Sequence, residues 1–454
     1  MKLFGTDGIR GKVNRGSMTP EVVLRVGMAI GAVLREQDSI RRHQVLIGKD
    51  TRISGYIIES ALTSGICSMG VDVTLVGPIP TPGVAFLTRA LRLDAGVAIS
   101  ASHNPFYDNG IKIFSGSGFK LSDELEQEIE QLAIADSCPI KRPSGSKVGK
   151  AYRLDDAAGR YIEYIKSSIP RGIDLVGMKV VIDSANGAAY KITPQLLREL
   201  GAEVVSIHDE PDGLNINHNC GSMHLDPLAE AVRTHEAHIG IAHDGDADRT
   251  LLVDEHGTLV DGDLIMSILA LELKREQRLK GNTVVATVMS NLGIERYLDR
   301  HGIKVIRTKV GDRFVVDEMR KQGFNFGGEQ SGHIVFFDYN STGDGPITAL
   351  QVLYLMRKRN MRLSELVKGI ELYPQVLINV PVAARKDLKE FPAITKAIND
   401  ATKALGTRGR LLVRPSGTEP KIRVMVECED PHLAQTSADR IAGLINKYLG
   451  EKKS

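Results

Sequence analysis

The sequence of 454 residues contains no tryptophan, few aromatic residues and little net charge. Aromatic residues make up 5% of the chain, too few to favour the stacked aromatic platforms that bind single-stranded nucleic acid. Lys and Arg number 58 against 56 Asp and Glu, and this near-balance leaves no electrostatic footprint for non-specific nucleic-acid binding. The composition therefore predicts no nucleic-acid partner.

Cysteines and long apolar runs are also scarce. The four cysteines are widely scattered and form no C-x-x-C pair, which favours a reducing compartment. No stretch reaches the roughly 18 consecutive apolar residues of a membrane span, and the N-terminus lacks the apolar run of a signal peptide. We therefore expect a soluble cytoplasmic protein with no membrane partner.

The standard nucleotide-binding fingerprints are absent. The sequence contains no G-x-G-x-x-G, and none of its Gly-Lys pairs is followed by the Ser or Thr of a P-loop. A dinucleotide-dependent oxidoreductase and a P-loop NTPase are both disfavoured.

One pattern, however, occurs three times. In each copy an apolar strand leads to a helix, the helix ends at a glycine, and a second strand follows. The glycines that end the three helices are Gly70, Gly201 and Gly302. Glycine suits the left-handed position after a helix, and the β-branched runs suit buried parallel strands. The copies predict three topologically related α/β domains with mixed, mostly parallel sheets.

The C-terminal part differs from these copies. It combines three short strands with two helical patterns, which predicts a smaller α+β domain with an antiparallel sheet. The predicted domains are I (1–152), II (153–254), III (255–368) and IV (369–454).

A loop with three carboxylates follows an apolar strand in domain II. Asp244, Asp246 and Asp248 occupy alternate positions, and like charges about 4 Å apart repel by roughly 4 kcal/mol near a protein surface. Oxygen-rich clusters of this kind suit a hard cation such as Mg²⁺ or Ca²⁺. An EF-hand is rejected because Arg249 replaces the glycine at the sixth loop position. A solvated acidic turn is the alternative, but the end of a buried strand favours a ligand site.

Ser102 and His103 also follow an apolar strand, within Ser100-Ala-Ser-His-Asn-Pro105. Nucleophilic catalysis by Ser102 is one interpretation, although G-x-S-x-G is absent and no catalytic triad can be assigned. Adjacent side chains on an extended strand point to opposite faces, so we expect that His103 is not the direct base for Ser102. A structural turn is the alternative.

Two more loops combine glycine with polar side chains. In Gly327–His333 the glycines permit close backbone approach, and Glu329 with Ser331 offers acceptors for sugar hydroxyls. In Arg414–Arg423 two hydroxyls, a glycine and two guanidinium groups predict a phosphate cradle. A plain glycine turn and a basic hairpin tip are the respective alternatives.

Together, these loops resemble the α-D-phosphohexomutase superfamily over essentially the whole chain. Four motifs stand in the order of that family: Ser-Ala-Ser-His-Asn-Pro, Asp-Gly-Asp-Ala-Asp-Arg, Gly-Glu-Gln-Ser-Gly-His and Arg-Pro-Ser-Gly-Thr-Glu-Pro. Phe4–Gly11, Gln330 and Asn219–His224 resemble most the bacterial members that act on glucosamine phosphates, with Met223 as one departure. The resemblance implies four domains around a central cleft and an intramolecular phosphotransferase of the isomerase class.

The resemblance also implies the reaction and its site residues. A phosphoryl group on Ser102 would be exchanged between glucosamine 6-phosphate and glucosamine 1-phosphate through a 1,6-bisphosphate. One Mg²⁺ per chain would be bound by Asp244, Asp246, Asp248 and a phosphate oxygen on Ser102, and glucosamine or glucose 1,6-bisphosphate would be the activator. The implied catalytic residues are Ser102, His103, Lys112, Arg249 and Arg10, with His103 and Lys112 as the proton-handling groups. The implied substrate-binding residues are Glu329, Ser331, His333, Arg414, Ser416, Gly417, Thr418 and Arg423.

The expected partners are small sugar phosphates, and the product would feed UDP-N-acetylglucosamine and cell-wall precursor synthesis. The resemblance leaves open a homodimer and the source of the first phosphoryl group on Ser102. A phosphomannomutase/phosphoglucomutase would share every loop and is the alternative enzyme. A non-catalytic sugar-phosphate-binding protein would be expected to lose Ser102 or one of the aspartates, and the chain keeps them all.

Overall fold

The structure, a computed structural model, describes residues 2–5, 7–37, 41–135, 142–383, 387–415 and 420–450. The strands are β1 (Ile9–Lys12), β2 (Gln44–Lys49), β3 (Asp72–Pro78), β4 (Ala95–Ile99), β5 (Asp108–Ser115), β6 (Ala151–Arg153), β7 (Lys179–Asp183), β8 (Glu203–Ile207), β9 (Ile239–His243), β10 (Thr250–Asp254), β11 (Leu259–Val260), β12 (Thr283–Thr287), β13 (Lys304–Thr308), β14 (Phe326–Gly328), β15 (Ile334–Phe336), β16 (Gln375–Pro381), β17 (Gly409–Pro415) and β18 (Lys421–Cys428). The helices are α1 (Pro20–Gln37), α2 (Gly55–Ser68), α3 (Thr81–Ala90), α4 (Asp123–Ile134), α5 (Ala157–Lys166), α6 (Ile192–Glu199), α7 (Asp226–Thr234), α8 (Gly262–Arg275), α9 (Leu292–Arg300), α10 (Asp312–Gln322), α11 (Gly345–Arg359), α12 (Leu363–Leu366), α13 (Pro392–Leu405) and α14 (Pro431–Leu449).

Contacts divide the chain into two units. The first comprises Met1–Met289 with Ile303–Lys368, and the second comprises Ser290–Gly302 with Gly369–Ser454. The helix α9, which the sequence pattern assigns to domain III, belongs to the second unit, where Leu292 N donates to Glu427 Oε2 over 3.0 Å. The domain boundaries near residues 152, 254 and 368 stay predictions.

The predicted repeat is present in the first unit as a shared sheet topology. In each of three sheets the first strand of the copy pairs in parallel with the second and third strands, and a fourth strand returns antiparallel to the third. The equivalent strand orders are β5-β4-β2-β3, β10-β9-β7-β8 and β15-β14-β12-β13. The prediction of three related α/β domains with mixed sheets is therefore confirmed.

The central strands of these sheets are covered on both faces. Every residue of β4, β9 and β12 is buried, as the continuous apolar runs predicted. Each fully buried Val, Leu or Ile side chain contributes about 1.5–3 kcal/mol relative to an exposed one. Gly70, Gly201 and Gly302 have φ values of +83°, +90° and +65°, which confirms the left-handed position after each helix.

The second unit contains the small antiparallel sheet β16-β18-β17. Side chains from β18, α13 and α14 form its hydrophobic core, including Val424, Ile394 and Ile441. The predicted C-terminal α+β domain is confirmed. None of the described helices combines the length and the apolar character that crossing a membrane requires.

Candidate active site

Three polar loops of the first unit meet, and each occupies the same place in its copy of the repeat. Residues 100–107 join β4 to β5, residues 244–249 join β9 to β10, and residues 329–333 join β14 to β15. Ser102 Oγ donates to Asp244 Oδ2 over 2.6 Å, which connects the first loop to the second. Thr250 N donates to Gly332 O over 3.1 Å, which connects the second to the third. The repeated topology thus assembles one site from three domains.

A buried arginine holds the backbone of residues 100–107, the loop that carries Ser102 and is called the serine loop below. Arg52, which follows β2, is 1% exposed. Its guanidinium donates to Asp50 Oδ2 and to the carbonyl oxygens of Ser102, Asn104, Pro105 and Asp108. Asn217 Nδ2 donates to the carbonyl oxygens of Ser102 and Asn104 over 2.8 and 3.0 Å. Because Arg52 and Asn217 come from different domains, the position of Ser102 is fixed by tertiary contacts.

The conformation of Ser102 corrects one expectation drawn from the sequence. β4 ends at Ile99, and Ser102 has a φ of +53°, so Ser102 and His103 do not lie on an extended strand. His103 Nδ1 consequently lies 3.3 Å from Ser102 Oγ, and the expectation that strand geometry separates the two side chains is wrong. Burial, followed by Arg249 and Arg10, lowers the pKa of His103 to about 4. A neutral imidazole therefore lies beside the serine hydroxyl.

The three aspartates of the second loop form a compact, buried cluster. One carboxylate oxygen from each aspartate lies within 4.8 Å of those from the other two, and each residue is at most 4% exposed. Asp246 Oδ2 accepts a hydrogen bond from Thr81 Oγ1 over 2.6 Å. Asp246 Oδ1 and Asp248 Oδ1, by contrast, have no hydrogen-bond partner in the part of the chain that the structure describes. Buried carboxylate oxygens without donors are unfavourable unless a cation binds them, so this set fits a hard divalent cation.

The aspartates differ in how their charge is balanced. Burial, followed by the charges of Asp248 and Asp246, raises the pKa of Asp244 to about 8. Burial alone would also raise the pKa of Asp248, but the Lys112 ammonium holds it well below its ordinary value. A negative charge is therefore least favourable at Asp244, which accepts the hydrogen bond from Ser102.

Lys112, predicted as a proton-handling group, lies between two of the carboxylates. Its Nζ donates to Asp246 Oδ2 over 3.0 Å and to Asp248 Oδ2 over 2.9 Å. Burial alone would lower the pKa of Lys112, but the two carboxylates keep it well above its ordinary value. In this arrangement Lys112 is a fixed positive charge against the aspartates.

Two further predicted residues, Arg10 and Arg249, carry guanidinium groups near the aspartates. Arg10 lies on β1 opposite Gly110 and donates to Asp7, while Arg249 Nε lies 3.9 Å from Asp248 Oδ1. Nε of each arginine is buried and has no acceptor among the described residues. Guanidinium groups with donors still available are suited to a phosphoryl group, which offers several anionic oxygens.

The third loop places its predicted residues in different surroundings. Glu329 Oε1 accepts from Gly311 N over 3.1 Å, and burial raises the pKa of this carboxyl. His333 Nε2 accepts from Gly343 N over 3.0 Å, so Nδ1 carries the proton and lies 3.7 Å from Asp248 Oδ1. Ser331, which lies between these two residues in the sequence, is half-buried. The loop therefore contributes one residue, His333, directly to the surroundings of the aspartates.

The predicted phosphate cradle lies in the second unit. Arg414 on β17 and Arg423 on β18 are cross-strand partners, and like charges in this position repel. Burial, followed by Arg423, lowers the pKa of Arg414, and Arg423 Nε has no acceptor among the described residues. The other predicted members, Ser416, Gly417 and Thr418, lie outside the described residues. A bound anion would relieve the repulsion between the two arginines.

Sequence reasoning missed several residues that support the site. Arg52 and Asn217 hold the serine loop, and Asp7 lies 3.6 Å from Lys112 Nζ. Arg52 and Asp7 fall in short polar loops after or before strands, a signal that was present but weak. Asn217 carries no comparable signal, because its role depends on a contact with a residue 115 positions away.

Family models described as phosphoglucomutase/phosphomannomutase match the chain in four parts. The models of alpha/beta/alpha domains I, II and III match residues 1–137, 159–257 and 261–373. The model of the C-terminal domain matches residues 377–444. The four matches follow the order of the four predicted domains.

Individual relatives are similar over their full length. A protein of Thermodesulfovibrio yellowstonii named phosphoglucosamine mutase is 57% identical over 451 residues, with 99% of this chain and 100% of the relative covered. A phosphoglucosamine mutase of Syntrophotalea carbinolica is 53% identical over 449 residues, with 99% and 98% covered. The crystal structure of a phosphoglucomutase/phosphomannomutase family protein from Burkholderia thailandensis is similar with a TM-score of 0.81 and 25% identity, with 98% and 97% covered.

Proposed function

The chain belongs to the phosphoglucomutase/phosphomannomutase family, and from that premise we propose that it interconverts glucosamine 6-phosphate and glucosamine 1-phosphate. The observation that carries the proposal is the contact of Ser102 Oγ with Asp244 Oδ2, because it puts a hydroxyl nucleophile beside three buried carboxylates. The relatives named phosphoglucosamine mutases support the amino sugar as substrate. The enzyme is an intramolecular phosphotransferase.

Ser102 stores the phosphoryl group that the reaction exchanges. In the first half-reaction the free O1 or O6 hydroxyl of the sugar attacks phosphorus, the bond from phosphorus to Ser102 Oγ breaks, and the sugar proton ends on Oγ. His103 is neutral and 3.3 Å from Oγ, so it is suited to move this proton. The product is a 1,6-bisphosphate and an unmodified Ser102.

In the second half-reaction the bisphosphate has reoriented, and Ser102 Oγ attacks its other phosphoryl group. The Ser102 hydroxyl donates a hydrogen bond to Asp244 in the unmodified enzyme, which orients the oxygen lone pairs for attack. The bond from phosphorus to the sugar oxygen breaks, and that oxygen takes up the proton that Ser102 Oγ loses. Lys112, Arg10 and Arg249 supply fixed positive charge for the transferring group, the main contribution that proteins make to phosphoryl transfer.

We propose that one Mg²⁺ per chain is bound by Asp244, Asp246, Asp248 and a phosphate oxygen on Ser102. The orphaned Oδ1 atoms of Asp246 and Asp248 support this ligand set. A phosphoserine adds about two negative charges to three carboxylates, and a divalent cation would neutralise part of that charge.

Substrate binding is proposed for two groups of residues. Glu329, Ser331 and His333 would bind the sugar, and the cradle would bind the phosphate that is not reacting. The cradle consists of Arg414, Ser416, Gly417, Thr418 and Arg423. The cross-strand placement of Arg414 opposite Arg423, where the two like charges repel, supports this assignment. A glucosamine or glucose 1,6-bisphosphate would act as activator. We further propose that the enzyme is cytoplasmic and that its product supplies UDP-N-acetylglucosamine synthesis. The proposal leaves a homodimer open.

The Ser102→Ala variant tests the mechanism, with Ser117→Ala at an exposed turn as the matched control. We expect Ser102→Ala to lose turnover by orders of magnitude while keeping its fold, because a single hydroxyl contributes little to total stability. Intact-mass measurement should find one phosphate on the wild type and the control and none on Ser102→Ala. A Ser102→Ala enzyme with near-normal turnover would contradict the mechanism.

Substrate preference is tested separately. Values of kcat/KM for glucosamine, glucose and mannose phosphates should favour glucosamine, because a buried polar group left unpaired by the wrong substituent discriminates strongly. Equal efficiency on mannose phosphate would assign the chain to the phosphomannomutase/phosphoglucomutase activity instead.

A further inference from the structure

Lys120 and Asp312 form a partly buried ion pair beside the site, and no role described above includes them. Lys120 lies between β5 and α4 in domain I, and Asp312 is the first residue of α10 in domain III. Lys120 Nζ donates to Asp312 and also to Asp7. The side chains of Lys120 and Asp312 are only 16% and 15% exposed, so solvent screens these contacts weakly.

These contacts lead to the aspartates through shared partners. Asp7 is close to three cations: it accepts from Lys120 and Arg10, and its Oδ2 lies 3.6 Å from Lys112 Nζ. Lys112 Nζ in turn lies 2.9 Å from Asp248 and 3.0 Å from Asp246. Lys112 is thus shared between Asp7 on one side and the aspartates on the other.

Competition for Asp7 decides where Lys112 lies. Attraction between charges falls with distance, so an ammonium between two anionic groups moves toward the one with fewer other cations. Lys120 supplies Asp7 with a cation of its own, and Asp312 fixes Lys120 in place. Without Lys120, the cations near Asp7 would be only Arg10 and Lys112. Asp7 would then attract Lys112 more strongly and draw it away from Asp246 and Asp248.

We propose that Lys120, held by Asp312, is a positioning residue that keeps the Lys112 ammonium on Asp246 and Asp248. This inference rests on the proposed function, because Lys112 is there the fixed charge that assists phosphoryl transfer. It also predicts a binding effect that does not depend on turnover. Lys112 bonds Oδ2 of Asp246 and Asp248, and its positive charge opposes a divalent cation at Oδ1 of the same carboxylates. Moving Lys112 away therefore strengthens Mg²⁺ binding while it slows the reaction.

The test compares Lys120→Met, Lys120→Arg and the control Arg313→Ala in the full chain. Methionine keeps the length of the side chain and removes its charge, and arginine restores the charge. Arg313 follows Asp312 directly and crosses the same domain boundary, where it contacts Asp123, Glu126 and the carbonyl oxygen of Leu121 but not Asp7. Its loss removes a cation from this domain boundary without removing a partner of Asp7.

For Lys120→Met we expect a fall in kcat of about 10- to 100-fold, the usual range for residues that orient a catalytic group. The KM for glucosamine 6-phosphate should change by less than about threefold. Calorimetric titration of the unphosphorylated protein with Mg²⁺ should give a Kd lower by roughly tenfold, the change that about 1.4 kcal/mol of relieved charge repulsion produces. Lys120→Arg should return kcat and the Mg²⁺ Kd toward wild-type values, and Arg313→Ala should change neither.

Three results would overturn the inference. A cavity of about 250 Å³ opens beside Lys120 and Asp312, so a raised KM with unchanged Mg²⁺ affinity would mean that Lys120 contacts substrate instead. A lower Tm with unchanged kcat in Lys120→Met, as in Arg313→Ala, would mean a structural contact only. Unchanged or weaker Mg²⁺ binding in Lys120→Met would refute the competition for Lys112. A wild type without turnover on glucosamine phosphates would refute the proposed function alone, because the Mg²⁺ titration would still test Lys120.

Discussion

Replacing Arg52 by lysine should destabilise the loop that carries Ser102. The effect should be larger than that of the same replacement at an arginine on the surface. A guanidinium has five N–H donors, and Arg52 makes five hydrogen bonds. Lysine keeps the charge but has three donors, so at least two of the five hydrogen bonds are lost. A hydrogen bond from a charged donor contributes about 1.5–3 kcal/mol, so the loss of two should destabilise the loop by about 3 kcal/mol.

Arg42 provides the matched control. It also binds a carboxylate through two donors, Nε to Asp72 Oδ2 at 2.8 Å and Nη2 to Asp72 Oδ1 at 2.7 Å. Its side chain is 53% exposed, however, and solvent-exposed ion pairs contribute at most about 1 kcal/mol. Arg42→Lys therefore removes a similar fork geometry at little expected cost.

Hydrogen–deuterium exchange of the peptide that spans β4 and β5 measures the effect locally. A loss of about 3 kcal/mol corresponds to roughly a hundredfold faster exchange by local opening, and kcat should fall with it because Ser102 is no longer held. Arg42→Lys should exchange within a few-fold of wild type at this peptide. If Arg52→Lys and Arg42→Lys exchange alike and both keep wild-type kcat, the role assigned to Arg52 is wrong.

Three further predictions concern other parts of the chain. Asp246→Asn should weaken Mg²⁺ binding by tenfold or more in a calorimetric titration, because one charged ligand is lost; an unchanged Kd would remove Asp246 from the metal site. Arg423→Ala should raise KM for both monophosphates by roughly ten- to a hundredfold and release more bisphosphate, since a charge-assisted bond contributes about 1.5–3 kcal/mol; a change for only one monophosphate would contradict a shared cradle. Burial raises the pKa of Asp344 to about 6 from the ordinary 3.8, so its contribution to stability is present below pH 4 and is lost as pH rises toward 6. Urea unfolding at pH 4 and pH 7 should show that wild type loses roughly 3 kcal/mol more than Asp344→Asn over this range, and parallel pH profiles would refute the shifted pKa.

Much of the fold could be predicted because its signals are local. The apolar run of β9 and the glycine after α2 each specify their own conformation through neighbouring residues, since a buried strand needs apolar side chains and a left-handed position favours glycine. The three copies of this local pattern then predicted three sheets of one topology. The assignment of α9 to domain III agrees with the family model of domain III, which matches residues 261–373, whereas contacts group α9 with the second unit. Helix periodicity describes which face is apolar and not which neighbour covers it.

The site divides in the same way. The spacing of Asp244, Asp246 and Asp248 by itself indicated a cation site, because carboxylates this close repel one another wherever the loop lies. The orientation of His103 was predicted wrongly, since an extended strand was assumed where Ser102 has a φ of +53°. That conformation is held by the carbonyl contacts of Arg52 and Asn217, 50 and 115 residues away in the chain. Likewise, the charge on Lys112 depends on carboxylates 134 and 136 residues away. Local sequence determined which chemical groups each loop carries, whereas only the packing of three domains decided their distances, their pKa values and which groups act on one another.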